Sequence, residues 1–218
     1  FTADLTIMEE GTEFLGRVTR AVKEGAADVH FPMFTSCSPG WINFVETYYP
    51  EFLNNLSTCK SPQQMFGPLA KTYYAEKAGI DPSKIRVISI MPCTAKKFEC
   101  DRPEMNASGY RDVDLVLTTR EFAKMIKEAN IDFSRLEEIK PDDPMGVSTG
   151  AADIFANSGG VMEAALRTVH EIISGESLPA LLNFTPVRGL KGIKEASVTF
   201  DKVAEGFEWL KGVTVNVA

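Results

Sequence analysis

Two short stretches of the sequence each place a cysteine directly after an apolar run. In "MFTSCSPGW", residues 33–41, Cys37 is followed by Ser38 and then by Pro-Gly. In "ISIMPCTAKKFE", residues 88–99, Cys93 follows a proline. Thiolates are ligands that soft metals and iron–sulfur clusters prefer. These residues therefore indicate a metal or cluster site, although two thiols are too few to close one.

The remaining sequence leaves a simpler interpretation open, because a free cysteine often acts as a small buried apolar side chain. The other two cysteines, Cys59 and Cys100, form no C-x-x-C pair with any thiol, which excludes a self-contained zinc knuckle or simple ferredoxin motif. The two histidines, His30 and His170, are far apart and lack the spacing of metal ligands.

The elements that must position the two thiols are predicted to be strands. Residues 29–36 ("VHFPMFTS") and 85–92 ("IRVISIMP") are short and apolar, as is typical of buried strands. Ligands gather beyond the carboxyl ends of strands in open parallel sheets. We therefore expect Cys37 and Cys93 to face one crevice.

Helices are predicted between these strands from apolar periodicity and from cap residues. Strands alternating with helices predict an α/β fold with mainly parallel sheets flanked by helices. The prolines and acids of residues 137–146 are typical of a surface loop. The predicted helices cover residues 2–25, 40–56 with a break at Pro50, 61–79, the second half of 112–131, and 157–175; further strands are predicted at the start of 112–131, at 193–200 and at 212–218.

Composition limits the functional classes. The net charge of −7 and the scattered lysines argue against nucleic-acid binding, which needs clustered positive charge. No apolar stretch approaches the roughly 20 residues that cross a bilayer, and the first residues lack a basic-then-apolar leader. We therefore expect no membrane partner. We also expect a cytoplasmic location, but because the sequence can be part of a longer protein, its first residues do not exclude the periplasm.

Taken together, the motifs resemble those of the catalytic domain of the iron-only ([FeFe]) hydrogenases. Beside "FTSCSPGW" and "MPCTAKKFE", the resemblance includes "ADLTIMEE", "CKSPQQMFG", "DRPEM", "RDVDLVLTTRE", "GGVMEAALRT" and "VRGLKGIKEA" in order, over almost the whole chain. It implies the iron-only hydrogenase large-subunit fold, with two interleaved α/β lobes. Residues 1–218 would form the front part of the catalytic domain, with approximate lobes 1–140 and 141–218.

The resemblance also implies a cofactor, the H-cluster, in which a [4Fe–4S] cubane is joined through a cysteine to a two-iron centre with CO, cyanide and a dithiolate. The family uses it to interconvert protons, electrons and dihydrogen. Four cysteines from three motifs hold the cluster, and the third motif is absent from these 218 residues. We therefore expect the isolated chain to be inactive and to bind no cluster.

Two of the cluster contacts transfer to residues of this sequence by resemblance. Cys93 matches a cubane ligand, and Lys96 matches the lysine that contacts a cyanide. At the first motif most members have Cys-Cys, whereas this chain has Cys37-Ser38. Position by position, Cys37 would relay protons and Ser38 would bind iron; since serine is a hard donor, we favour Cys37 as the ligand and leave the relay role open.

The family's proton relay implies roles for four further residues. Glu10 and Glu13 match two relay acids, Ser57 matches the serine between them, and Arg17 matches an arginine at the outer end of the route. Without the resemblance, two glutamates at i and i+3 would more often form a solvated helix face.

The surroundings of the two-iron centre transfer in the same way. Met91 and Phe155 would form its apolar wall, and Ser61 with Gln63 would offer polar contacts to its ligands. Cys59 and Cys100 are not used by the family and are expected to be structural.

Three functional classes follow from these observations. The first is part of a hydrogenase catalytic subunit, with ferredoxin or NAD-linked partner subunits as electron partners. The second is a sensor or iron–sulfur assembly relative with the same fold, and the third is an α/β interaction domain whose thiols only pack. The two glutamates, Lys96 and the Cys37 motif favour the first.

Overall fold

The structure, a computed structural model, describes residues 1–178, 185–187 and 190–218. The chain divides into two compact units. The central unit comprises residues 35–147 together with Thr2, and the terminal unit comprises Phe1, residues 3–34 and residues 148–218. The predicted lobes 1–140 and 141–218 place residues 3–34 differently; these residues group with the C-terminal segment because their helix contributes to its apolar core.

The central unit contains a parallel pair of strands and five α-helices. Its elements are α2 (Pro39–Tyr48), a 3-10 helix (Pro50–Asn55), α3 (Pro62–Leu69), a π-helical turn (Ala70–Tyr74), α4 (Ala75–Ala78), a 3-10 turn (Pro82–Lys84), β1 (Ile88–Met91), α5 (Ala95–Asp101), β2 (Leu115–Thr118), α6 (Thr119–Glu128) and a 3-10 turn (Phe133–Arg135). The predicted break at Pro50 is confirmed, because α2 ends before it.

The strands β1 and β2 pair in parallel, from Ile88 opposite Leu115 to Met91 opposite Thr118. The predicted strand within residues 85–92 is thus confirmed, and so is the α/β class. The prediction that this strand is buried was only half right. Residues i and i+2 share a face of a strand, and one face exposes Ile88 and Ile90 while Ser89 is buried.

The apolar core of the central unit includes residues of the strand pair and of its neighbouring segments. Phe66, Ile85 and Met91 pack against it at its edge. Its buried members lie in the π-helical turn, in α5, in β2 and in the residues just before β1 and β2. They are Ala70, Cys100, Val116, Val87 and Val113.

Cap residues define several helix ends as the sequence predicts. Thr118 and Glu121 form a capping box at the start of α6, with each side chain bound to the other residue's amide. Gly79 ends α4 in the left-handed conformation, with φ of 65°. Ser61 does precede Pro62 at the start of α3, but its hydroxyl caps nothing and is used elsewhere.

The predicted strand over residues 29–36 is wrong. The segment is irregular, with a single isolated bridge at Phe34. Pro32 has no amide hydrogen to donate to a strand ladder, which disfavours regular pairing here. Cys37 therefore follows an irregular segment and not a strand.

The described residues of the terminal unit form three α-helices and an antiparallel sheet. Its elements are α1 (Thr2–Val18), whose first residue clusters with the central unit, a π-helical turn (Thr19–Lys23), α7 (Gly150–Phe155), α8 (Gly160–Ser174), β3 (Thr185–Val187), β4 (Leu190–Thr199), a 3-10 turn (Glu208–Leu210) and β5 (Thr214–Val217). The strands lie in the order β3-β4-β5. Its core consists of Val18, Val169, Ile173, Phe200 and Leu210.

Most sequence predictions for this unit are confirmed. Gly25 and Gly175 end their helices with φ of 65° and 72°. The strands predicted at 193–200 and 212–218 form, although they pair antiparallel.

In the central unit, residues 137–146 form the predicted exposed loop. Over the described part of the chain, no helix combines the length and apolar character needed to cross a bilayer.

Replacing Gly67 by alanine tests how closely α3 packs against the segment before β2. A Cβ atom at Gly67 would collide with the backbone carbonyl of Asp112, a residue with no exposed surface. Overpacking of this kind costs about 1–3 kcal/mol, so Gly67→Ala should lower the free energy of unfolding by about that amount in urea titrations.

The matched control is Gly16→Ala in α1, where a Cβ would meet nothing within 4 Å. That substitution should raise the free energy of unfolding by about 0.5–1 kcal/mol, because alanine loses less backbone entropy than glycine in a helix. An unchanged unfolding midpoint for Gly67→Ala would contradict the close packing.

Candidate functional site

Cys37 and Cys93 both lie directly ahead of helices in the central unit. Ser38 is the N-cap of α2, and its backbone is extended. Cys93 follows β1 and stands two residues before α5 begins at Ala95. The Cys37 residue is half-buried and Cys93 is exposed. Cys93 therefore lies where the sequence predicts, at the carboxyl end of a parallel strand.

One hydrogen bond brings the two cysteine segments together. The Lys96 ammonium, on the first turn of α5, donates to the backbone carbonyl of Cys37 at 2.7 Å. The helices that follow the two cysteines, α2 and α5, also contact each other. The chain at Cys37 is thus anchored to the helix that begins directly after Cys93.

A buried carboxylate, Glu99, lies at the centre of this arrangement. Its Oε2 accepts hydrogen bonds from Ser61 Oγ at 2.7 Å and from Gln63 Nε2 at 2.6 Å. Lys96 Nζ donates to Oε1 at 3.0 Å and to Oε2 at 3.2 Å. Three residues that the resemblance assigns to the cofactor's surroundings therefore share one partner.

The four side chains are withdrawn from solvent, with Ser61 2%, Glu99 4%, Gln63 6% and Lys96 9% exposed. A buried charge is costly unless it is paired and hydrogen-bonded. The Lys96–Glu99 ion pair satisfies that condition, since each charge faces its opposite and the neutral donors Ser61 and Gln63 also bind Oε2. The pair is therefore a rigid, locally neutral element.

Glu99 was missing from the residues that the sequence indicated. The signal was present, because Lys96 and Glu99 are three apart and lie on one face of a helix. A lysine–glutamate pair at that spacing is common on solvated surfaces, and only burial distinguishes this one.

Ser57 belongs to a second hydrogen-bonded group next to the first cysteine motif. Its Oγ accepts the amide hydrogen of Cys59 at 3.1 Å, and Ser36 Oγ donates to the carbonyl of Cys59 at 2.6 Å. Ser57 is buried. The backbone of Cys59 is therefore held from both sides, which supports a structural role for that residue.

Cys100 has the properties of a packed thiol. It is 5% exposed, belongs to the apolar core and donates weakly to the carbonyl of Lys97. Burial, more than the opposing influence of the Arg111 charge, raises the pKa of the Cys100 thiol. A raised pKa disfavours the thiolate that binds metals.

The two predicted relay acids lie on α1 in the terminal unit. Glu10 is 3% exposed, so the alternative of a solvated glutamate pair is wrong for this residue. Burial, with a smaller contribution from the Glu13 charge, raises the pKa of Glu10 to about 7. Arg17 binds Glu13 through Nη2 at 2.7 Å and Nε at 3.0 Å, and its Nη1 contacts the carbonyl of His30 at 3.4 Å.

Met91 and Phe155, predicted as an apolar wall, lie in different units. Met91 ends β1, packs on the core of the central unit and lines, with Gln63, an open cleft of about 600 Å³. Phe155 is the last residue of α7 and is half-buried. Their roles, like those of the other predicted site residues, stay predictions.

The residues present fit part of the implied cofactor. Soft thiolates suit the irons of a cubane, and the buried Lys96 cation, anchored at Cys37, suits anionic ligands. Among residues 1–178, 185–187 and 190–218, no group of three or more His, Cys, Asp or Glu side chains is placed to hold a metal ion. The fit therefore rests on the thiols of Cys37 and Cys93 and on the Lys96 ammonium.

The sequence matches a family model, "Iron only hydrogenase large subunit, C-terminal domain", over residues 1–216. The chain belongs to this family, as its motifs predicted.

Two curated relatives show the extent of the match. The periplasmic [Fe] hydrogenase large subunit of Nitratidesulfovibrio vulgaris is 56% identical over 198 residues, which are 91% of this chain and 46% of that protein. The NADP-reducing hydrogenase subunit HndD of Solidesulfovibrio fructosivorans is 54% identical over 91% of this chain and 34% of its own length. This chain therefore spans less than half of either relative.

A solved structure supports the fold. A variant of [FeFe]-hydrogenase HydA1 from Chlamydomonas reinhardtii superposes with a TM-score of 0.79 at 46% identity, covering 96% of this chain and 51% of that one. A more distant relative, cytosolic iron-sulfur assembly component 3 of Rattus norvegicus, is 33% identical over 86% of this chain and 40% of that protein.

The buried Glu10 makes stability depend on pH. Its pKa is about 7 in the folded protein against 4.5 ordinarily. The folded state therefore holds the proton more tightly, so the added stability is fully present below about pH 4.5 and is lost as pH rises through about 7. The free energy of unfolding should fall by roughly 3 kcal/mol across this window.

In urea titrations of Glu10→Gln, the free energy of unfolding should not show this decrease with rising pH, because glutamine does not titrate. Glu9→Gln, at an exposed position of the same helix, should retain it. Equal slopes in the wild type and in Glu10→Gln would show that Glu10 titrates normally.

Proposed function

We propose that this chain forms the front part of the catalytic domain of an [FeFe]-hydrogenase subunit that reversibly reduces protons to dihydrogen at an H-cluster. The observation that supports this most directly is the bond from Lys96 to the Cys37 carbonyl. It joins the two cysteine motifs at the start of one helix, and membership of the hydrogenase family gives that geometry its chemical meaning.

Cys93 and Cys37 would hold the cubane through their sulfur atoms. When bound, the H-cluster supplies redox-active iron at which protons and electrons combine. Lys96 would then offer a positive charge to anionic ligands of the two-iron centre, and Met91 and Phe155 would contribute apolar surface. Ser61 and Gln63 are already turned toward Glu99, so their orientations are set before any ligand arrives.

Proton delivery is proposed to use Glu10, Glu13, Ser57 and either Cys37 or Ser38. A relay acid works best when its pKa lies near the working pH, and burial brings the pKa of Glu10 to about 7. The Arg17 ion pair orients the Glu13 carboxylate. Burial therefore gives Glu10 a proton affinity suited to a relay near neutral pH.

The alternative is a non-catalytic assembly relative with the same fold. The higher identities to hydrogenase subunits, 56% and 54% against 33%, support the catalytic proposal. The names of these relatives indicate multi-subunit proteins. We propose ferredoxin or an NAD-linked subunit as the electron partner and a cytoplasmic location.

The direct test is hydrogen evolution by the catalytic subunit that contains this chain, produced together with the cluster maturation proteins. The wild type should evolve dihydrogen, and Cys93→Ala should lose both activity and cluster iron. Cys59→Ala is the matched control and should retain both. A wild type that binds a cluster without evolving dihydrogen would favour the assembly alternative.

The same preparation resolves the roles of Cys37 and Ser38. We expect Cys37→Ala to lose cluster iron, because a thiolate is the better iron ligand. Ser38→Ala should keep the iron and lose about 10²–10⁴-fold in rate if the hydroxyl relays protons. The reverse pattern would assign the ligand role to Ser38.

The isolated 218-residue chain should not assemble a complete cluster. Its described residues hold no group of three candidate metal ligands, and a cubane needs four. After anaerobic reconstitution, iron analysis and visible absorbance should show less than one [4Fe–4S] per chain. A stoichiometric cubane spectrum would contradict the two-ligand arrangement.

A further inference from the structure

We propose that Glu99 is a positioning residue of the site, which holds Lys96, Ser61 and Gln63 in the directions that they need toward the two-iron centre. This inference rests on the proposed function. The resemblance assigned roles to those three residues and none to Glu99.

The carboxylate of Glu99 accepts hydrogen bonds from side chains of two segments, the start of α3 and the first turn of α5. Ser61 and Gln63, at the start of α3, donate to Oε2 at 2.7 and 2.6 Å. Lys96, one turn before Glu99 on α5, donates to both oxygens. Three of these four hydrogen bonds end on Oε2 and one on Oε1, so a single carboxylate orients all three donors.

The contact with Glu99 determines the orientation of the Gln63 side-chain amide. Its Nε2 donates to Glu99 at 2.6 Å and lies 3.5 Å from the carbonyl of Lys96. Reversing the amide would place its oxygen against the carboxylate, where two acceptors repel. Its Oε1 therefore points away from Glu99, buried and without a hydrogen-bond partner in the described part of the chain.

The negative charge of Glu99 also acts on Lys96. Lys96 is 9% exposed, so its ammonium needs a counter-charge whether or not a cofactor is bound. Glu99 supplies it within the same helix at 3.0 Å. The ammonium is therefore held between Glu99 and the Cys37 carbonyl before a cluster binds.

The test compares Glu99→Gln with Glu46→Gln in the catalytic subunit that contains this chain. Glu46 is a matched control, because it pairs with Arg102 at 2.6 Å in the same unit, away from Lys96. Two readouts besides activity are used: acylation of Lys96 in the cluster-free protein, followed by mass spectrometry, and the infrared cyanide bands of the loaded protein.

Glu99→Gln should raise the acylation rate of Lys96 by about tenfold, because the ammonium loses a charged hydrogen-bond partner. It should also shift at least one cyanide band, whereas Glu46→Gln should change neither readout. Folded Glu99→Gln with an unchanged acylation rate and unchanged cyanide bands would overturn the inference.

If Glu99→Gln does not fold, Glu99→Asp replaces it, since aspartate keeps the charge but is one methylene shorter. We then expect Lys96 to remain protected while a cyanide band still shifts, because aspartate cannot reach all three donors. Unshifted bands in this variant would overturn the inference. A wild-type protein without any cyanide band would instead refute the proposed function, with Lys96 acylation still testing the Glu99 contact.

Discussion

The arrangement of the central unit depends on one buried ion pair, Lys96 with Glu99. Removing two charges from water costs several kcal/mol per ion, and attraction offsets this only with good geometry and further hydrogen bonds. Here Ser61 and Gln63 supply those bonds, and Lys96 reaches on to the Cys37 carbonyl. The pair thereby links both cysteine motifs and the start of α3, so loss of either charge would disturb all of them.

The same principle, control of charge by burial, operates differently on α1 of the terminal unit. Among residues 1–178, 185–187 and 190–218 no cation forms an ion pair with Glu10, and burial raises the pKa of its carboxyl to about 7. Glu13, one turn along, is paired with Arg17, and its side chain is 15% exposed, against 3% for Glu10. Two chemically identical side chains one turn apart thus differ in burial and in partner, which no charge pattern in the sequence indicated.

Local rules explain which predictions for the fold succeeded. The capping box at Thr118 and the left-handed glycines act within a few residues, so their effect is readable from the sequence. The strand predicted at residues 29–36 does not form. Its apolar composition favours a strand, but Pro32 has no amide hydrogen to donate to a strand ladder. The antiparallel pairing of β4 with β5 depends on partners distant in sequence, which composition does not specify.

The sequence by itself determined the family, the two cysteine motifs and the residues to place around a cofactor, because motif letters record chemical identity. The tertiary structure alone decided that Glu99 joins Lys96, Ser61 and Gln63, and that Glu10 is buried while its neighbour Glu9 is exposed. The physical reason is that burial and hydrogen-bond geometry arise from contacts between segments tens of residues apart. Those contacts decide whether a glutamate is a solvated surface residue or a buried acceptor of several hydrogen bonds.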